Sequence, residues 1–514
     1  MSARAAGGAV TRLVGFDTAG EPFLSEGRVL RGIYRGHADL VRQVLATCEK
    51  HDLFARGIVA TRELKDNPHP ELDYEMLLEH ERVPFVTFPH EWSASMFKEA
   101  ALFHIELFQE LEKYGLTLKD WHPQNILFAG TRPVFVDFTS IIPVDELDKQ
   151  EYLKAGRAPG KFADRWDSTS KAIYEMYRLM FEPYFGLPLA MMEHGHHARA
   201  RQRMYETTLN AADTVITRNE VFGDSLYRRL RYEGDQLLLQ TSLLEKGKKK
   251  PAFFRRLHSI VKGRRAALRG SAYSSYYEDK KEAFSSEPAA NWTNKQHGVH
   301  GALAQFKPRT VLDLGSNTGW FSMLAAKLGS SVVAVDLDEA SIDRLFRDAK
   351  NQKLDILPLV ANLVRPLPAL APNVYENEPS LSLIGDGLPL ISQPDTRLKC
   401  EMVMALAIVH HLALGQAHSF EEIAAILARL GTEYLCVEFV DIDDEMIRTD
   451  PGFFPAWNSN RSAFGWYSRE NFVRALEAHY SVIEMVPSHP ATRTLLIGRR
   501  AKITEKAEAA ERTE

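Results

Sequence analysis

Short wholly apolar runs and longer runs with helical spacing succeed one another in the C-terminal half of this chain, and their order predicts alternating strands and helices. Val311 and Leu312 begin a buried strand that opens into a loop carrying Gly315 and Gly319, where backbone can approach a ligand closely. WFSMLAAKLG follows, with Trp320, Phe321, Leu324, Ala325 and Leu328 at helical spacing and Gly329 closing the helix. Further apolar strands are predicted at Val332 to Val335, in LPLVANLVRPLP, at Met402 to Val409, and in EYLCVEFVDIDDEM. The pattern is that of an open α/β sheet, whose ligands bind beyond the carboxyl ends of the strands.

The N-terminal half has less regular patterning. GRVLRGIYRG reads as a hairpin rich in arginine, VFVDF as a strand, and WDSTSKAIYEMYRLMFEPYFGLPLAMM and RQRMYETTLN as helices, a helical region extending to about Leu239. Between the halves, the basic stretch from Leu244 to Gly270 breaks the composition on both sides. After Pro251 its apolar residues Phe253, Phe254, Leu257, Ile260, Val261 and Leu268 recur at roughly helical spacing among Arg and Lys. This is a linker with an amphipathic basic helix, either docked with a solvated face or turned toward an anionic partner. The resulting division is 1–240, a linker at 241–270, a core at 271–500 and a polar tail at 501–514 that is expected to be disordered.

Composition adds bounds. The 514 residues are too many for one ordinary core. A hydrophobic fraction of 45%, a charged fraction of 25% and a net charge of -5 are those of a globular protein with no global bias toward nucleic acid. Cys48, Cys400 and Cys436 are too dispersed for a disulfide framework or a zinc site, no metal site is expected in the C-terminal core, and no apolar leader or membrane span is visible, which fits a cytoplasmic protein. The oligomeric state is not legible.

The chemistry concentrates at the strand ends. Asp313-Leu-Gly315-Ser316-Asn317-Thr-Gly319 spaces its glycines four apart, unlike the GxGxxG of a dinucleotide site. Asp336, followed by Leu337, ends the second strand about 20 residues later, where a carboxylate accepts both hydroxyls of a ribose. The D-x-G-x-x-x-G turn resembles the first motif of class I methyltransferases, and ALAIVHHLAL resembles their fourth. The resemblance implies a Rossmann-like sheet binding S-adenosylmethionine. It places the methionine portion at Asp313, Gly315, Ser316, Asn317 and Gly319, the ribose at Asp336 with Leu337, and Asn362 near the adenine, where the family often has Asp; Ala405, on the fourth strand, also belongs to the cofactor site. His410, His411 and Glu438 lie at strand ends on the acceptor side. Each His is a general base or a pocket-shaping group, and Glu438 a proton acceptor or an orienting partner. Tyr276, Tyr277 and Trp292 either lid the cofactor or pack. No NPPY-type tetrad marks an amide or exocyclic amine as acceptor.

LKDWHPQNILFAGTRPVFVDF resembles the catalytic loop of protein-kinase-like and aminoglycoside-phosphotransferase-like folds, matching its residues at Asp120, Asn125 and Asp137. The resemblance implies an α+β kinase-like domain that holds magnesium at Asn125 and Asp137. Thr139 stands where the family has Gly, no glycine-rich phosphate loop or V-A-I-K lysine precedes Asp120, and some 120 residues leave little room for a full N-terminal lobe. A truncated, inactive region is therefore expected, with an ATP-dependent small-molecule phosphotransferase or a bifunctional kinase-methyltransferase as the alternative. The whole order resembles bacterial nodulation-protein-type methyltransferases. It implies methyl transfer to an O or N nucleophile of an acceptor recruited by the N-terminal domain, and leaves that acceptor unnamed.

Overall fold

The computed structural model describes residues 10–13, 17–150, 172–173, 176–207, 250–271, 274–279, 282, 284–362, 397–449 and 454–501. The expected tail, the helical stretch toward Leu239, Trp166 and the start of the basic linker lie outside the described residues. The chain divides into two compact units, with a boundary between Leu268 and Arg269.

In the first unit, β1 (Val10–Arg12), β2 (Gly20–Ser25), β3 (Arg28–Ile33), β4 (Thr61–Glu63) and β5 (Met76–His80) form an antiparallel sheet in the order β1-β2-β3-β5-β4. Helix α1 (Ala38–Lys50) joins β3 to β4. The β2–β3 hairpin turns at Glu26 and Gly27, both at positive φ. A five-stranded sheet thus does fit ahead of Asp120, contrary to expectation, because its strands are only three to six residues long. Helix α2 (Ala94–Glu112), capped by Ser93, buries Phe97, Ala101, His104, Ile105, Phe108 and Leu111. Two small ribbons follow, β6 (Leu116–Leu118) with β9 (Ile141–Pro143) and β7 (Ile126–Ala129) with β8 (Arg132–Phe135). Between them they present the loop at Asp120 and the turn at Asp137.

A π-helical stretch Tyr177–Gly186 runs into α3 (Leu187–Glu193), and α4 (His197–Thr207) follows. The basic segment forms α5 (Lys250–Gly263), which lays Phe253, Phe254, Leu257 and Val261 against this unit. The Phe254 ring lies 4.4 Å from that of Phe108 on α2. Lys98 Nζ donates to the carbonyls of Lys262 and Arg264, each at 2.6 Å, a cation closing a helix C-terminus. Arg255, Arg256, Lys262 and Arg265 remain exposed.

The second unit is built on one seven-stranded sheet. Its strands are β10 (Thr310–Leu314), β11 (Ser331–Asp336), β12 (Ile356–Val360), β13 (Cys400–Ala405), β14 (Gly431–Val440), β15 (Tyr480–Pro487) and β16 (Arg493–Arg500). Their order is β12-β11-β10-β13-β14-β16-β15, parallel as far as β14, with β16 antiparallel to both neighbours. The apolar runs are strands buried on both faces, as parallel sheets require. Helices α6 (Asn294–Phe306), α7 (Trp320–Lys327), α8 (Glu339–Gln352), α9 (Phe420–Leu430) and α10 (Arg469–Glu477) belong to this unit. The fourth strand ends at Ala405, earlier than the Val409 expected from its apolar run. Ala407 takes φ +55°, and the chain turns into a π-helical segment at His411–Gly415. Strand order reverses between β10 and β13, the switch point at whose carboxyl ends open α/β sheets bind ligands.

Candidate functional site at the sheet switch point

The glycine turn leaves β10 at Leu314, bends sharply and starts α7. Gly315, Asn317 and Gly319 have φ of +71°, +52° and +81°. The amides of Gly315 and Ser316 both donate to Val335 O, at 2.8 and 3.1 Å, which holds the turn over the end of β11. A Cβ on Gly319 would lie 2.3 Å from Leu345 Cδ1, so only glycine fits there. Ser316 Oγ, within the turn, is buried with no hydrogen-bond partner in the protein, a hydroxyl open to a polar ligand.

Asp336 ends β11 as expected. Its Oδ2 accepts from the Asn317 amide at 2.8 Å and its Oδ1 from the Asp338 amide at 2.9 Å. These bonds orient the carboxylate while leaving each oxygen a further lone pair for a hydroxyl. Burial raises its pKa above the usual carboxylate value, and the two amides offset that only in part. Leu337 beside it is 63% exposed, an apolar surface beyond the end of β11, and Asp338 caps α8 through the Ser341 amide at 2.8 Å. Asn362 lies two residues past the end of β12. Glycine turn, Asp336 and Asn362 therefore follow the ends of three adjacent strands.

Asp313 sits deeper than the motif suggests. It is 2% exposed and accepts from Ser322 Oγ at 2.6 Å. Burial pushes its carboxyl up to about 6, against the Ser322 bond and the Lys295 charge. It is a buried support beneath the loop.

On the acceptor side, Glu438 is fully buried, and its carboxylate is shared between Lys295 Nζ at 2.7 Å and Ser488 Oγ at 2.5 Å. Lys295, on the first turn of α6, also lies 5.3 Å from the centre of the Phe321 ring on α7. It thereby links the helix of the glycine turn to the end of β14. Asp444 and Arg493 form a buried two-point ion pair at 2.8 and 3.0 Å, and Thr492 Oγ1 donates to the same carboxylate at 2.6 Å. These donors outweigh burial and hold Asp444 down to about 2. His410 is 4% exposed, with its ring 4.2 Å from that of His411, and both pack on Phe454. Burial lowers His410 well below the usual imidazole value and His411 to about 4, so both are neutral at physiological pH. His410 Nδ1 is buried without a hydrogen-bond partner.

Trp292 belongs to the core cluster, and Tyr277 packs against it, so of the two readings open for them the structure favours packing. Lys295, Asp444, Ser488 and Arg493 were not singled out from sequence. They come from three separate segments, Ser488 and Arg493 flanking one turn, and no local pattern marks them.

In the first unit, Asp120 accepts from the His122 amide at 3.0 Å, and Asp137 faces the Arg31 guanidinium at 3.1 Å. Burial raises the pKa of both carboxyls.

No family model matches this chain. Nodulation protein NoeA of Rhizobium meliloti (strain 1021) is 26% identical over 431 residues, covering 81% of this chain and 80% of NoeA. Among solved structures, magnesium protoporphyrin IX methyltransferase (ChlM) from Synechocystis PCC 6803 with bound SAH is similar at 15% identity over 45% of this chain and 97% of its own, with a TM-score of 0.28. N-methyltransferase NodS from Bradyrhizobium japonicum WM9 with SAH is similar at 10% identity over 45% of this chain and 100% of its own, with a TM-score of 0.29. The assignment of the second unit to an open α/β sheet rests on its own strand order.

Proposed function

We propose that this chain is an S-adenosylmethionine-dependent methyltransferase, with the cofactor held at the switch point of the second unit. The observation that carries the reading is the glycine turn of Gly315 to Gly319 hydrogen-bonded to Asp336 at the end of the neighbouring strand. Ser316, Asn317 and the two glycines hold the methionine portion, Asp336 the ribose hydroxyls, Leu337 and Asn362 the adenine side; Asp313 braces the turn from below. When bound, the cofactor supplies an activated methyl group on a sulfonium. The protein's task is then alignment of a nucleophile with that methyl group and removal of its proton.

His410 is the candidate proton acceptor through its unpartnered Nδ1, although burial lowers its basicity. Glu438 orients its surroundings, since its oxygens are committed to Lys295 and Ser488. The acceptor is an O or N nucleophile that the N-terminal unit recruits. Titration with S-adenosylmethionine and S-adenosylhomocysteine tests the reading. Micromolar binding of both is expected, and no heat with either would remove it.

The N-terminal unit is, in this reading, kinase-like and catalytically inactive. The pairing of Asp137 with Arg31 supports inactivity, since a guanidinium stands where a phosphotransferase needs a metal. Magnesium-dependent ATP turnover abolished by Asp137→Ala would reverse it, in favour of a phosphotransferase using Asp120, Asn125 and Asp137.

A further inference from the structure

The methyltransferase reading gives no role to the basic segment that forms α5. Residues 250–270 hold seven Lys and Arg and no Asp or Glu, in a chain whose net charge is -5. The helix spends its apolar face inside the first unit, with the Phe253 ring 5.6 Å from that of Tyr177 and the Phe254 ring 4.4 Å from that of Phe108. At about 3.6 residues per turn, Arg255, Ser259 and Lys262 fall on one line opposite that face, with Arg256 beside it. All four are exposed, and so is Arg265 just beyond the helix.

A helix that merely faces water usually interleaves Glu with Lys or Arg along its surface, and this one carries no acid at all. The acids of neighbouring elements cover only part of the charge. Glu106 on α2 accepts from His258 at 2.8 Å, and Glu193 at the end of α3 pairs with Arg264 at 2.5 Å. Among the described residues, Arg255, Arg256, Lys262 and Arg265 form no ion pair. A further cation crowds in, since Lys98 Nζ caps the carbonyls of Lys262 and Arg264. Burial lowers the pKa of Lys98, and the charges of Arg265 and Lys262 lower it further against those of Glu193 and Glu99. Cations that repel one another on a rigid face favour an anionic surface brought up from outside.

We propose that the outward face of α5, with Arg255, Arg256, Lys262 and Arg265, docks the protein on an anionic phospholipid bilayer. A flat surface meets all four cations at once, and clusters of this size on a helix suit anionic headgroups. Nucleic acid fits the face less well. Phe253 and Phe254 are turned inward, so no aromatic of the helix is left for a base to stack on. The apolar face being already buried, attachment is electrostatic and reversible, without insertion into the acyl layer. The negative remainder of the chain lies beyond a Debye length of about 8 Å from most of the contact, and it orients the basic face toward the membrane.

Co-sedimentation of the full-length protein with vesicles of phosphatidylcholine, with and without added phosphatidylglycerol, tests this. Binding is expected only to the vesicles with phosphatidylglycerol, and it is expected to vanish at about 1 M salt, where charges are screened within about 3 Å. Each single change to Gln at Arg255, Arg256, Lys262 or Arg265 should weaken it about fivefold, and all four together by a hundredfold or more. Arg255→Lys with Arg256→Lys should bind as the wild type does. Equal sedimentation with both vesicle types, or full binding by the quadruple Gln variant, overturns the proposal. Tighter binding of an RNA oligomer than of the anionic vesicles at equal salt, lost in the same variant, overturns it in favour of nucleic acid. Should the quadruple variant melt abnormally, the single variants decide, and four singles that each bind as the wild type does overturn the proposal.

Discussion

At the scale of single residues, burial sets what each acid at the switch point can do. Asp336 keeps acceptor capacity because only backbone amides approach it, so Asp336→Ala is expected to abolish S-adenosylmethionine binding while the melting temperature changes little. Unchanged affinity in the folded variant would remove the ribose assignment. Asp313 carries a pH signature. Its folded pKa is raised from 3.8 to about 6, so the folded state holds a proton that the unfolded chain has already lost between those values. Its contribution to stability therefore falls as pH rises through that window, and above it the buried charge costs about 3 kcal/mol. Asp313→Asn, which can still accept from Ser322, is expected to melt higher than wild type at pH 8 and the same at pH 4. A pH-independent difference would show that burial of the charge is not the cause. His410→Ala should retain S-adenosylhomocysteine affinity yet lose about 10²- to 10⁴-fold in methyl transfer, the range of a missing general base. A smaller loss would make His410 a pocket-shaping residue.

At the scale of elements, the site depends on turns that tolerate few substitutions. Gly319 has positive φ and stands against Leu345 on α8, so Gly319→Ala adds backbone strain of about 1–3 kcal/mol to a steric clash. Chemical denaturation should show destabilisation of at least that size, together with weaker cofactor binding. A neutral effect would mean that the turn relaxes freely. The Asp444–Arg493 pair ties the segment after β14 to the start of β16. Asp444 is held at about 2, so its contribution is present above pH 3.8 and is lost as pH falls from there toward 2. Arg493→Met strands that carboxylate in the interior and is expected to cost about 3–5 kcal/mol at pH 7. Recovery of most of that loss in the double variant Arg493→Met with Asp444→Asn would confirm that the stranded charge is its source.

At the scale of the whole molecule, the division into two compact units predicts separable responses. Scanning calorimetry with S-adenosylmethionine at about a hundred times its Kd should stabilise the second unit by about 2.7 kcal/mol, or about 5–10 °C for a unit of this size, leaving the other transition in place. Asp336→Ala should erase the shift. Movement of both transitions together would mean that the units unfold as one. No described helix is long and apolar enough to cross a membrane.

The residues of the glycine turn, Asp336, the first five strands of the second unit and the helix after the turn were legible in the sequence. They are contiguous, and backbone demands write themselves into local pattern: glycine where φ is positive, apolar runs where a strand is buried on both faces. The basic helix was legible for the same reason, its apolar spacing matching the face it buries. The five-stranded sheet of the first unit was not, because strands of three to six residues carry too few positions to establish a period. Nor were the pairings that tune the chemistry. Lys295 with Glu438, Asp444 with Arg493, and Asp17 with Lys119 join residues about 50 to 140 positions apart, and burial of His410 depends on Phe454 from another segment. A charge has no periodicity, and its partner and its desolvation exist only once distant segments pack together, so the tertiary structure alone decided which acids and bases of this chain are committed and which remain available.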